Sequence, residues 1–309
     1  MILTVTLNPA VDLYLSIQKL VTDDVNRVLW FRRDPGGKGV NVSRVIQELG
    51  GESIALCLLG GATGEEIFRH LNAKGIWVER ILVEGSTRTN ITLKEERAGK
   101  IIKLNEKGPP LTQTHLRICL KRLLRLAHRG DFVALSGSLP PGVSSETYAL
   151  FIRHLRSRGI RVLLDADGEA LREGIKASPT FVKPNLHEMS RLVRRPLRTF
   201  QDRIKACHAL LRNGIEGVIL SMGKEGALLV SQKESWLAKT PKVKVESTIG
   251  SGDSLVGGFL LGLSRGKNMA ESFRLGMACG TATAITPATE LCHKKDVQRF
   301  LKQITIVPV

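Results

Sequence analysis

What is scarce in this chain removes several classes of function. No stretch of its 309 residues comes near the roughly 18 consecutive apolar positions of a membrane span. The start, MILTVTLNPAVDL, lacks the basic segment and small-residue cleavage site of an export signal. A soluble cytoplasmic protein without a membrane partner is therefore expected. The five cysteines, Cys57, Cys119, Cys207, Cys279 and Cys292, are odd in number, far apart and never form CxxC. Reduced core thiols are expected, and no disulfide framework or zinc site. Gly-Lys pairs stand at 37–38, 99–100, 223–224 and 266–267, but Ser or Thr follows none of them, which excludes a Walker A loop. Both GGKGVNV and GSGDSLV lack the third glycine of a dinucleotide fingerprint, and neither a GxSxG elbow nor a Cys/His nucleophile pair is present.

Acid is scarce too. Against 46 Lys plus Arg stand only 29 Asp plus Glu, a formal charge of +17. Such an excess favours anionic partners, from phosphorylated metabolites to nucleic acid. The cations are nevertheless dispersed in stretches such as KRLLRLAHR (121–129), RHLRSRGIR (153–161) and RLVRRPLR (191–198), interleaved with leucines as on solvated helix faces. With two tyrosines and no alternation of aromatic and basic residues, a base-stacking platform is not indicated, and nucleic acid ranks well below a merely basic surface.

Apolar residues, by contrast, make up 42% of the chain, enough to bury a full core in one large domain. Apolar runs at 2–7, 53–59, 131–137, 161–166, 180–185 and 217–223 read as buried strands, and helical patterns separate most of them. In VNVSRVIQELGG, Val42, Val45, Ile46 and Leu49 recur at helical spacing before two glycines, and GEEIFRHLNAKG (64–75) repeats the pattern. This alternation predicts an α/β fold, a doubly wound and mostly parallel sheet with helices on both faces. Two stretches, about 11–35 and 78–106, show short β-type runs, charge and turn signals without a helix. They are expected to form a small sheet outside the main one, acting either as a lid over the site or as a plain hairpin.

Ligands of open α/β sheets bind beyond the C-terminal strand ends. Asp12 stands just past the first strand, and PGGKGVNVSR (35–44) opens directly into a helix, where glycines let an anion approach unpaired N–H groups. Near the C-terminal end, TIGSGDSLVGGF (248–259) combines both devices. The N–H groups of Gly250, Ser251 and Gly252 face a helix start and Asp253 follows, so the stretch is suited either to phosphoryl transfer with Asp253 as base or to a helix capped by Asp253.

Taken together, NPAxD (8–12), PGGKGxNVxR (35–44), SGSLPPG (136–142), KPNxxE (183–188), SxGxxG (221–226) and GSGDS (250–254) resemble, in that order, the loops of the ribokinase-like (PfkB) sugar kinases. The resemblance spans essentially the whole chain and is closest to the phosphosugar branch, in particular the minor 6-phosphofructokinase type, with 1-phosphofructokinase and tagatose-6-phosphate kinase also similar. It implies a single ribokinase-like domain over 1–309, a β lid that also forms a homodimer interface, and MgATP as donor. Asp253 would be the general base, with Gly250, Ser251 and Gly252 as the anion hole. Asp12, Gly37, Lys38 and Asn41 would meet the sugar, and Arg88, helped by Arg27, Lys103 and Ser138, would hold the phosphate already on it. Lys183, Asn185, Glu188, Ser221, Gly223, Gly226 and Gly252 would serve ATP, with Glu188 on Mg²⁺ through water.

Within the branch, GGATGEE (60–66), DADGEAL (165–171) and ATELCHKKD (288–296) resemble the 6-phosphofructokinase type, which implies fructose 6-phosphate as substrate. Lys38 in PGGKG resembles instead the 1-phosphofructokinase and tagatose-6-phosphate kinase pattern. At 286–290, TPATE departs from the Asn and Gly arrangement by which many relatives coordinate potassium, so potassium is not carried over. Two further readings stay open: a kinase for an unphosphorylated sugar or nucleoside, and a basic nucleic-acid binder on a kinase-like scaffold.

Overall fold

In the computed structural model, which describes residues 1–309, the apolar runs read as buried strands form β1 (Ile2–Thr6), β4 (Ile54–Leu59), β8 (Phe132–Ser136), β9 (Arg161–Asp165), β10 (Phe181–Val182) and β11 (Gly217–Ser221). With β5 (Trp77–Leu82) they lie parallel in the order β11-β10-β9-β8-β1-β4-β5. Both faces of these strands are covered except at the edge strand β5, so their sequences apart from β5 are largely apolar where a half-exposed strand would alternate. In β8, Val133 and Leu135 pack into one core layer while Phe132 and Ala134 pack into the other.

The first layer is closed by α3 (Gln113–Leu126), α4 (Thr147–Arg156), α5 (Gly168–Lys176), α6 (Leu186–Leu192) and α7 (Phe200–Leu211). The second is closed by α1 (Lys38–Glu48), α8 (Ser251–Ser264), α9 (Met269–Ala284) and α10 (Lys294–Leu301), with α2 (Gly61–Ala73) packed beside β4. The helical spacing of Val42, Val45, Ile46 and Leu49 is explained by burial of all four against the sheet. All five cysteines are buried and unpaired. No helix is long and apolar enough to cross a membrane.

Three strands escaped the sequence reading. β12 (Ala227–Ser231), β13 (Ser235–Lys239) and β14 (Thr305–Pro308) extend the sheet antiparallel to ten strands. β12 directly follows the Gly223–Gly226 turn, and β13 and β14 are only partly buried, so no continuous apolar run marks them as core strands.

The four-stranded sheet outside the main one is built from β2 (Ala10–Ile17), β3 (Val28–Gly36), β6 (Arg88–Glu95) and β7 (Lys100–Asn105), in the order β3-β2-β6-β7. Its second segment needs a correction: 78–106 was expected to belong to it throughout, but β5 pairs in parallel with β4 from Ile54↔Trp77 to Leu59↔Leu82. Val78 and Ile81 turn into the main core, which holds that strand in the large sheet. The register Ala10↔Gly36 and Ala10↔Arg88 roots the small sheet beside the C-terminal end of β1, while Ile17↔Val28 marks its opposite end.

Candidate active site

Helix α8 begins at Ser251, and its N-cap is Gly250, held at φ 76 with no side-chain cap. That left-handed conformation suits glycine, and the helix buries its side chains from Asp253 onward. Asp253 is thus the third helical residue and not the cap, which removes the capping alternative. The N–H groups of Gly250, Gly252 and Asp253 have no backbone acceptor, whereas that of Ser251 lies 3.4 Å from the Thr248 carbonyl oxygen. Three free donors at a helix start form a site for negative charge, with Asp253 in the place first assigned to Ser251. The Ser251 hydroxyl is itself buried without a partner.

The Asp253 carboxylate is 8% exposed and accepts a 2.8 Å hydrogen bond from Asn41 Nδ2. Asn41 accepts in turn from Arg44 (3.2 Å), whose guanidinium also reaches Asp34 and the Pro35 carbonyl. Asn41, expected on a sugar hydroxyl, is therefore engaged at both ends in orienting Asp253. Burial above all, and then the negative charge of Asp165, push the Asp253 pKa up to about 6, against the pull of Lys38, Asn41 and Lys183. A carboxylate so placed is ionised at neutral pH yet basic enough to take a proton.

Asp165, which the sequence reading did not single out as a site residue, ties the cluster together. At 1% exposure its Oδ1 holds Lys38 Nζ at 2.8 Å and Lys183 Nζ at 3.3 Å, while its Oδ2 has no partner. Burial alone would raise its pKa, but the two ammonium groups hold it below the ordinary value. Lys38 also lies 3.9 Å from Glu188 Oε1; against its own burial, these carboxylates and Asp253 hold its ammonium above the usual lysine range. The only sequence hint of Asp165 was a carboxylate closing a buried strand.

Just beyond β10, Asn185 caps α6 by accepting from the Glu188 N–H, and Glu188 Oε2 accepts from the Asn185 N–H. This capping role of Glu188 uses one carboxylate oxygen and leaves the other facing Lys38. Ser221 donates its N–H to the Pro184 carbonyl beside Asn185, and the Gly223 to Gly226 turn follows it.

At the root of the small sheet, Asp12 accepts from Asn90 Nδ2 at 3.0 Å, and burial raises its pKa. A Cβ on Gly36 would overlap the Asp12 carboxylate, which is why glycine stands there. Gly37 is the N-cap of α1, directly before Lys38. Arg88 donates to the Asn8 and Glu106 carbonyls, both at 3.1 Å, and approaches Ser138 Oγ at 3.4 Å; Asn8 Nδ2 reaches the same hydroxyl at 3.3 Å. Arg88 and Ser138 therefore meet, as expected. Arg27 does not join them: it precedes Val28 at the far end of the small sheet. Lys103 is exposed opposite Thr92, two positions beyond Asn90 along β6.

The Asn8, Asn90, Ser136, Asp165 and Ser251 side chains each hold a buried oxygen without a hydrogen-bond partner in the protein. Such atoms are rare in folded proteins because each costs free energy, and these stand at strand ends, at the small sheet's root and at the start of α8. The concentration marks a surface kept polar for a ligand. Asp165 Oδ2 and Glu188 Oε1 together suit a hydrated divalent cation, although no group of three His, Cys, Asp or Glu is gathered as a closed metal cage.

The model of the pfkB family of carbohydrate kinases matches residues 5–296. A 1-phosphofructokinase of Bacillus subtilis is 35% identical over 306 residues, covering 99% of each chain. An ATP-dependent 6-phosphofructokinase isozyme 2 of Mycobacterium tuberculosis is 35% identical over 302 residues, 97% of this chain and 89% of that one. The crystal structure of phosphofructokinase-2 from Escherichia coli in complex with potassium superposes with a TM-score of 0.93 at 33% identity, covering 98% of both chains.

Proposed function

The chain belongs to the pfkB family of carbohydrate kinases, and from that premise we propose that it moves the γ-phosphoryl group of ATP onto a ketohexose monophosphate, with fructose 6-phosphate as the leading acceptor. As a kinase of the phosphofructokinase type it is a phosphotransferase with an alcohol group as acceptor. One observation carries the proposal: a buried carboxylate, Asp253, stands in the first turn of α8 among three unpaired N–H groups, with the cations Lys38 and Lys183 beside it. In the proposed step the acceptor hydroxyl passes its proton to Asp253 as its oxygen attacks the γ-phosphorus. The bond from that phosphorus to the bridging oxygen breaks, and ADP leaves with the electron pair. The N–H groups at the start of α8 and the ammonium of Lys38 stabilise the charge on the transferring group.

Magnesium would be held by Glu188 and Asp165 through water. When bound it neutralises phosphate charge. Potassium is left out of the proposed cofactors on the departure of TPATE at 286–290; in that loop the Glu290 side chain pairs with Arg32 and His293, and Thr289 with Asp34. The whole chain is read as one catalytic unit working in the cytoplasm.

The deciding experiment measures ADP release with fructose 6-phosphate, fructose 1-phosphate, tagatose 6-phosphate and free fructose. Turnover with none of them, or with free fructose alone, overturns the phosphosugar reading. A second reading, fructose 1-phosphate as acceptor, is favoured by Lys38, and a higher kcat/KM for that sugar would establish it.

Arg88 and Ser138 are the proposed grip on the phosphate that the sugar already carries. A guanidinium suits a dianion, and a charge-assisted hydrogen bond contributes about 1.5–3 kcal/mol. Arg88→Ala is expected to raise KM for the phosphosugar about 10- to 100-fold, the same energy in rate terms, with kcat changed far less. An unchanged KM would remove Arg88 from this role.

A homodimer through the small sheet is also proposed. Leu15 pairs with Phe31 on one side and with Leu93 on the other, and Leu93 pairs with Ile102, so one apolar row crosses all four strands. The row Leu13, Ile91, Leu104 lies on the same face, and Phe31 is 66% and Leu104 57% exposed. A face so apolar on a thin sheet calls for cover. Phe31→Asp is expected to convert a dimer to a monomer in sedimentation equilibrium, and a wild-type monomer would dismiss the interface.

A further inference from the structure

The charge of +17 is far more than the site uses, and its distribution is uneven. Residues 113–129, which contain α3, hold five Lys or Arg and no Asp or Glu; residues 147–161, which contain α4, hold four more and no acid. The two helices lie side by side on one face of the sheet, joined near their ends by Arg158, which donates to the Leu124 carbonyl at 3.0 Å. Arg122 and Arg125 share Glu79, and Arg156 pairs with Glu216. Arg117, Lys121, Arg129, Arg153, Arg158 and Arg161 have no carboxylate within ion-pair distance.

Between the helices runs a groove of about 200 Å³. Its floor is apolar, formed by Leu116, Leu120, Leu150 and Phe151, with Leu150 43% exposed, and Arg117 and Arg153 stand at its rim. Glu146, at the N-cap of α4, is the one carboxylate that lines it. None of these residues belongs to the site assembled around Asp253, so phosphoryl transfer does not account for them.

We propose that the α3–α4 groove is a docking site for a short acidic segment of a partner protein that also carries leucine-like side chains. Charge complementarity names the acid: uncompensated cations flank the groove on both helices. The apolar floor names the second requirement, because a purely anionic ligand would leave Leu150 and Leu120 in water. The concave shape favours a rod-like segment over a flat bilayer, and no aromatic ring other than the 1% exposed Phe151 lines the groove for base stacking.

The test uses the full-length protein and four fluorescent probes in anisotropy titrations. They are a 14-residue synthetic peptide of Glu with Leu at helical spacing, a Glu-only peptide of equal length, a single-stranded oligonucleotide, and vesicles of phosphatidylcholine with phosphatidylglycerol. The Glu/Leu peptide is expected to bind at least tenfold more tightly than the Glu-only peptide. Arg117→Glu with Arg153→Glu should weaken it more than tenfold, and Leu150→Gln should remove most of its advantage over the Glu-only peptide. All three side chains are exposed, and unchanged kinase activity and melting temperature would show that the variants are folded. Equal binding of the two peptides, or binding indifferent to these substitutions, would overturn the proposal as mere attraction between opposite net charges. Preferential binding of oligonucleotide or vesicles, abolished by the same variants, would overturn it in favour of those partners.

Discussion

Asp253→Asn is expected to lower kcat about 10²–10⁴-fold, the usual contribution of a positioned base, while the protein melts no lower than wild type. The two halves have one cause. Folding raises the Asp253 pKa from 3.8 to about 6, so the folded state favours the protonated form. The ionised carboxylate then costs stability at neutral pH, and this penalty disappears below the unfolded value. Asn is uncharged and keeps an oxygen for the Asn41 amide, so the penalty is removed and the contact is retained. A variant that lost activity and also unfolded would point to a structural role, and one that kept wild-type kcat would remove Asp253 as base. ATP binding, followed by calorimetry, should survive because the N–H groups of the α8 start are untouched.

Asp165→Asn is expected to cost about 3–5 kcal/mol of unfolding free energy, the range for breaking a buried ion pair from one side. Lys38 and Lys183 share this single carboxylate at 1% exposure, and an amide leaves both ammonium groups without their nearest counter-charge. A second consequence separates this residue from an ordinary core pair. The Asp165 charge is one reason the Asp253 pKa is raised, so its loss should move that pKa down. In wild type, kcat/KM should fall as pH drops through about 6, where Asp253 takes up its proton. In the variant the acid limb should move to lower pH. Urea titration checks the first effect and a pH–rate profile the second; an acid limb that stays in place or rises would deny the electrostatic link.

How legible each part was follows from how local its cause is. Strands buried on both faces leave continuous apolar runs, so the parallel core was readable, and glycine loops opening into helices were visible wherever a motif fell in one short stretch. The antiparallel edge was not: β12 follows directly on a glycine turn, β13 and β14 are only partly buried, and β14 pairs with a strand some seventy residues away. β5 was assigned to the wrong sheet because its charge and turn signals match those of the small sheet, while its membership depends on Val78 and Ile81 finding the main core.

Within the site the same division holds. GSGDS alone left Asp253 open between cap and base, and the backbone removed the cap by placing that role at Gly250. Arg88 and Ser138 were legible as partners, yet Arg27 lies at the other end of the sheet that carries Arg88, a separation set by strand register. By itself the sequence determined the fold class, the glycine loops at the strand ends and the presence of a carboxylate beside one of them, because each depends on neighbouring residues. Only the tertiary structure decided that Asp165 holds both lysines and that Arg44 and Asn41 aim Asp253. Those contacts join residues up to 212 positions apart, and their directions exist only once the strand ends are brought to one edge.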